Sequence, residues 1–144
     1  MYRLKILFVA GFGPITTANQ TSKSFYLDTL NLPLQPMFGN ESYLSTEQNH
    51  QLEGVKHFAL WPLSQAAQSC FGIDDWPKEI TIPQSWIEFE VDDLAAASDH
   101  MVAHGYQLLV NNRIEPWGQS VTRFLSPEGI LTSLTVTPWL HETV

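Results

Sequence analysis

The chain has 144 residues, 44% of them apolar and 12% aromatic, with five tryptophans and only 15% charged side chains. That composition excludes a disordered, fibrous or coiled-coil chain, and the length supplies a core for one domain or two small packed modules. Seven Lys and Arg stand against 15 Asp and Glu, a formal charge of −8. Nucleic acid and anionic membrane surfaces are therefore excluded as natural partners, and a neutral or cationic small molecule suits the field better.

The first segment, 4–17, reads as a long strand disturbed by Gly11, Gly13 and Pro14. Arg3 and Lys5 before Ile6 mimic a signal peptide, but the apolar run is too short and no small-x-small cleavage site follows. A buried first strand is the better reading, and no apolar run approaches the ~20 residues of a membrane span. A helix is expected over 19–30, with Asn19 as N-cap, Phe25, Tyr26 and Leu30 as its apolar stripe, and Asn31 ending it in a left-handed conformation. Strands follow at 34–38, 42–47 and 54–61, the last stopped by Pro62. Segment 63–83 holds an Ala/Gln-rich piece and then Gly72, Pro77 and Pro83, and reads as a linker. Next come a strand at 85–91 and a helix at 93–104 capped by Asp92 and ended by Gly105. Strands at 108–110, 119–125 and 130–137 complete the chain, the last two joined by the tight turn Ser126-Pro-Glu-Gly129.

Sliding the second half back by about 75 residues superposes strand on strand and helix on helix. Glu128-Gly129-Ile130 then falls on Glu53-Gly54-Val55, and Thr137-Pro138 falls near Trp61-Pro62. The chain divides into a first βαβββ module (1–62), a linker (63–83) and a second βαβββ module (84–144). The fold class is α+β, with two curved mixed sheets around a cleft, and clefts between modules are where ligands bind.

Three stretches carry a family resemblance. They are Ser24-Phe25-Tyr26 with Leu30-Asn31-Leu32, Phe89-Glu90-Val91-Asp92-Asp93-Leu94 with Gly105-Tyr106, and Glu115-Pro-Trp-Gly-Gln119 with Ser126-Pro-Glu-Gly129. Together they resemble the vicinal oxygen chelate superfamily, and the chain is most similar to its glyoxalase/bleomycin-resistance group. The resemblance implies paired βαβββ modules and a homodimer. It implies no single reaction, because the fold hosts lyases, dioxygenases, isomerases and drug-binding proteins.

Metal-using relatives place His or Glu at four strand positions. Carried onto this sequence, these fall on Gly11 or Phe12, on Phe58 with His57 adjacent, on Trp86 and on Ser133. None is a strong ligand, so no metal or other cofactor is expected. His100 and His104, four apart on the second helix, read as flank residues of its apolar stripe, Leu94, Ala97 and Met101. His50 and His141 have no visible partner. The single cysteine, Cys70, permits no disulfide within the chain, reads as a buried inert thiol, and suits a reducing, cytoplasmic compartment.

With apolar residues at the metal positions, the cleft is expected to be aromatic: Trp86 and Phe58 facing it, Trp117 and Trp61 at its rim. Gln119 and Arg123 share one strand face with Val121. Arg123 either holds a ligand carboxylate, pairs with Glu88 or Glu90, or makes a surface ion pair. The first functional reading is a metal-free protein that sequesters a small aromatic or cationic molecule, using Phe58, Trp86, Trp117, Gln119, Arg123 and Ser133. The alternatives are a lyase, isomerase or dioxygenase with a divalent metal at a degenerate site near His57, and a partner-binding module whose cleft has collapsed.

Overall fold

A computed structural model describes residues 2–47 and 51–141; His50 lies outside them. The strands form one eight-stranded sheet in the order β2-β3-β4-β1-β5-β8-β7-β6. They are β1 (Phe8–Thr16), β2 (Gln35–Met37), β3 (Asn40–Ser45), β4 (Ala59–Pro62), β5 (Ser85–Glu90), β6 (Val110–Ile114), β7 (Ser120–Leu125) and β8 (Leu131–Val136). Within each half the first strand runs parallel to the last, β1 to β4 and β5 to β8. Antiparallel pairing of β1 with β5 joins the halves.

The sheet has two faces with different jobs. On the outer face, Val91, Leu94, Ala97, Phe124 and Leu134 pack together beneath α3 (Leu94–Ala103). Leu34, Leu44 and Leu60 form the matching cluster of the first half, with Tyr26 and Leu27 packed against it. On the inner face Ile15, Ala59, Trp86, Val121 and Leu131 join Ala66, Ala67 and Cys70 of α2 (Leu63–Phe71). The segment read as a linker therefore carries a helix that plugs one end of the inner face, its small residues set to lie close against the sheet.

Glycine explains how β1 and β4 approach. A Cβ at Gly13 would sit 2.0 Å from the Ala59 carbonyl oxygen, inside any allowed contact. One at Gly11 would meet the tip of the Trp86 indole at 3.2 Å. The pairing of β1 with β5 shifts register between Val9 and Gly11, so Ala10 is the extra residue of a bulge.

Several expected elements move. The first helix is α1 (Asn19–Lys23) followed by a π-helical stretch, Ser24–Thr29; Phe25 in it and Leu30 just after it are exposed, and Tyr26 and Leu27 do the packing. Asn19 is its first helical residue and caps nothing; Asn31 does adopt the left-handed conformation, at φ 56°. The cap of α3 is Asp93, accepting from the Ala96 amide, because its backbone is the extended one. Strand β6 begins where 108–110 was expected to end, and residues 54–57 precede β4 rather than belong to it.

Candidate functional site

The inner face encloses a cleft of about 830 Å³, within the range of small-molecule pockets. A collapsed cleft is thereby excluded. Trp61, Trp86, Trp117 and Trp139 line it, together with Tyr43 and His57. Trp86 is fixed by donation from its indole N–H to the Ala59 carbonyl (3.2 Å) and stands edge-on to Trp61. Trp117, half exposed, donates to the Gln119 side-chain oxygen at 2.8 Å.

Beneath the aromatic walls lies a charged floor. Glu88, Arg123 and Gln119 point inward because β5 and β7 alternate, and β6 brings Arg113 and Glu115 beside them. Arg123 Nη1 donates to Glu115 Oε1 at 2.9 Å and to Ser69 Oγ at 2.6 Å, and its guanidinium lies over the Trp61 ring. Arg113 adds a second bond to the same Glu115 oxygen and reaches the Ser69 carbonyl. Burial pushes the Glu115 carboxyl up, but hydrogen bonds and charge from these two arginines outweigh it and hold it below the usual glutamate range. Arg123 is thus engaged inside the protein; it makes neither a surface pair nor a free anchor for a ligand carboxylate.

Glu88 differs. Gln119 donates to its Oε1 at 2.9 Å and also to Thr135 Oγ1 at 2.8 Å, fixing the carboxyl. Its Oε2 pairs with Arg123 Nη2 at 3.8 Å, the expected pairing with Glu88, though too far for a hydrogen bond. Burial raises its proton affinity, and the Arg123 charge and the Gln119 bond oppose that only in part. Across the cleft, Tyr43 OH and His57 Nε2 share a 2.8 Å hydrogen bond. Burial holds the tyrosine protonated, aided by the Glu88 charge, and lowers the histidine, so both are neutral at pH 7.

Of the residues expected at the site, Trp86, Trp117, Gln119 and Arg123 line the cleft. Ser133 is on the same face but buried between its register neighbours Glu88 and Arg123, as floor beneath the ligand space. Phe58 is a correction. It sits on the outer face, edge-on to Phe12 at 5.3 Å and against the Leu34, Leu44 and Leu60 cluster. The parallel bridge of Phe12 to Phe58 sets that orientation, and the next residue back, His57, faces the cleft instead. Glu115, Tyr43, Ser69 and Trp139 were not anticipated. The one available signal was Arg113-x-Glu115, two charges on one face of a strand.

The donor set does not fit a metal ion at the four strand positions. His57 is bonded to Tyr43, Glu88 to Gln119, and the Trp86 ring fills the space beside Gly11. Among the described residues no three His, Cys, Asp or Glu side chains converge. The rings of His100, on α3, and His104, its C-cap, lie 4.2 Å apart and tilted, and His104 is bonded back to the His100 carbonyl. Burial pushes the Cys70 thiol up to about 11, so it is not a nucleophile. Among the described residues no helix is long and apolar enough to cross a membrane.

The fold recurs in solved structures of low sequence identity. A glyoxalase/bleomycin resistance protein/dioxygenase superfamily member from Vibrio splendidus 12B01 is 14% identical, with TM-score 0.56 over 94% of this chain and 100% of that one. A methylmalonyl-CoA epimerase from Mycobacterium tuberculosis is 14% identical, with TM-score 0.54 over 97% and 95%. One from Streptomyces coelicolor, in complex with 2-nitronate-propionyl-CoA, is 16% identical, with TM-score 0.52 over 93% and 99%. No curated protein matches in sequence. The family model for the Glyoxalase/Bleomycin resistance protein/Dioxygenase superfamily matches residues 16–134, and the chain belongs to that superfamily.

Proposed function

We propose that the protein binds a small aromatic or cationic molecule in the inner-face cleft without a metal, and that it acts by sequestering it, as a cytoplasmic homodimer. One observation carries the reading: a tryptophan-walled space of about 830 Å³ stands over a fixed carboxylate, Glu88, whose second oxygen takes no hydrogen bond from the described residues. Indole faces stack flat rings and attract cations, at ~0.5–2 kcal/mol per contact. The free Glu88 oxygen would accept from a ligand N–H. Titration of tryptophan fluorescence with proflavine (a planar cation), naphthol and naphthoate tests it. Saturable quenching is expected for proflavine and naphthol, with naphthoate weakest. No saturable response to any of the three overturns the reading.

A second reading is an isomerase or lyase in which Glu88 moves a proton. A fixed carboxyl of raised proton affinity facing a cavity suits general acid–base work, and methylmalonyl-CoA epimerases share the fold. Glu88 would take a proton from a carbon next to a carbonyl and return one to the same carbon after exchange with solvent. Incubating methylmalonyl-CoA with the protein in D2O reads this as deuterium uptake. Uptake that Glu88→Gln abolishes supports the enzyme; none with the wild type leaves sequestration.

A further inference from the structure

The segment after β8 turns back over the cleft. Residues 138–140 form a single 3-10 turn, and Thr137, Trp139 and Leu140 line the cavity. What holds this turn down is a carboxylate with no exposure at all, that of Glu90 at the end of β5. Its Oε2 accepts from the Thr137 amide at 2.6 Å and meets His141 Nε2 at 2.5 Å. Its Oε1 has no partner among the described residues. Every hydrogen-bond donor this buried carboxylate has among the described residues therefore comes from the turn itself.

The geometry points to the turn 137–141 being a strap that His141 latches onto Glu90, closing Trp139 and Leu140 over one end of the cleft. A buried carboxylate cannot be left without donors. If His141 withdraws, the Thr137 amide is the one donor left to Glu90 among the described residues, and the water that replaces the imidazole enters beside the turn and loosens its hold over the cleft. The contact thus has two discrete arrangements, latched and shut or released and open. His141 is the reversible half: it is partly exposed and meets the Phe8 ring at 6.2 Å, while Glu90 is locked within the sheet. Closure on a guest rests on the binding reading above; the latch itself does not.

The test has two arms. Hydrogen exchange of the Thr137 amide reads the latch without any ligand, with the Val91 amide, bonded to the Thr135 carbonyl at 2.9 Å, as a control for global unfolding. In His141→Ala the Thr137 amide is expected to exchange at least tenfold faster with Val91 unchanged, and His141→Gln, which keeps a donor, to restore protection in part. Stopped-flow dissociation of proflavine reads the closure, expected to be at least fivefold faster in both His141→Ala and Trp139→Ala. Unchanged Thr137 exchange in His141→Ala overturns the latch. Faster exchange with unchanged proflavine release overturns the closure. If proflavine does not bind the wild type, the binding reading fails and the exchange arm alone decides the latch.

Discussion

Arg123 Nη1 lies 2.9 Å from Glu115 Oε1, and both side chains are all but sealed from water, at 2% and 7% exposed. The pair ties β7 to the end of β6, and through Ser69 it ties both to α2. Breaking a buried pair by removing one partner costs roughly 3–5 kcal/mol, since the remaining charge stays desolvated. Arg113 still bonds Glu115 when Arg123 is gone, so Arg123→Met is expected to lose an amount at the low end of that range in urea unfolding. Arg123→Lys should fall between, because an ammonium cannot reproduce the planar fork that meets Glu115 and Ser69 together. A loss under ~1 kcal/mol for Arg123→Met would show that water enters the floor freely.

The two floor glutamates give opposite pH signatures. Glu88 binds its proton more tightly folded than unfolded, so its contribution is full below the ordinary glutamate value of about 4.3 and is lost as pH rises through its raised folded value. Glu115 binds its proton less tightly folded, so its contribution is present above that value and is lost as pH falls. Thermal unfolding followed from well below to well above the ordinary glutamate value separates them. Glu88→Gln is expected to remove the decline on the alkaline side of pH 4.3, and Glu115→Gln to remove part of the acid-side loss. An unaltered alkaline decline in Glu88→Gln would assign it to another group.

These contacts also mark where the sequence stops being informative. The order of elements was legible because each half repeats strand, helix and strands, and alternation over 119–125 put Gln119 and Arg123 on one face, the one that lines the cleft. Phe58 was not, since nothing local fixes the parity of β4: its facing is set by pairing with Phe12, far along the chain, and a slip of one residue exchanges the faces. The Glu115 floor was hidden for a similar reason. Its partners come from β7 and from Ser69 on a helix read as linker, brought together only by the folded sheet. Trp139 and His141 were invisible as site residues, because their role depends on the chain reversing after β8.

Gly13 is a position where no side chain fits. A methyl there would meet the Ala59 carbonyl oxygen at 2.0 Å, and its nearest neighbours are all Ala59 backbone, with no flexible side-chain end to yield. Gly13→Ala is expected to force β1 and β4 apart, at about 3 kcal/mol or more. Gly11→Ala meets the end of the Trp86 ring and the His57 carbonyl at 3.2 Å, a milder contact. Denaturant midpoints should therefore order as wild type, Gly11→Ala, Gly13→Ala. The reverse order would mean that β1 runs differently past β4.

The assignment of Phe58 and Trp117 to opposite roles can be read from two quantities at once. Phe58 packs against Tyr26, Phe12 and the leucine cluster of the outer face. Phe→Ala at a fully buried site costs ~3–5 kcal/mol, and Phe58 is only partly buried, so Phe58→Ala is expected to cost less than that in unfolding, with proflavine affinity unchanged. Trp117 is half exposed and carries little core packing, but its ring forms the cleft rim. Removing an aromatic contact of ~0.5–1.5 kcal/mol weakens binding roughly two- to tenfold. Trp117→Ala should therefore weaken proflavine by that factor while moving the unfolding midpoint little. The two variants exchange readouts: one loses stability and keeps the ligand, the other keeps stability and loses it. If Phe58→Ala instead weakens proflavine as much as Trp117→Ala does, the ligand contacts the outer face, and the cleft is not the binding site.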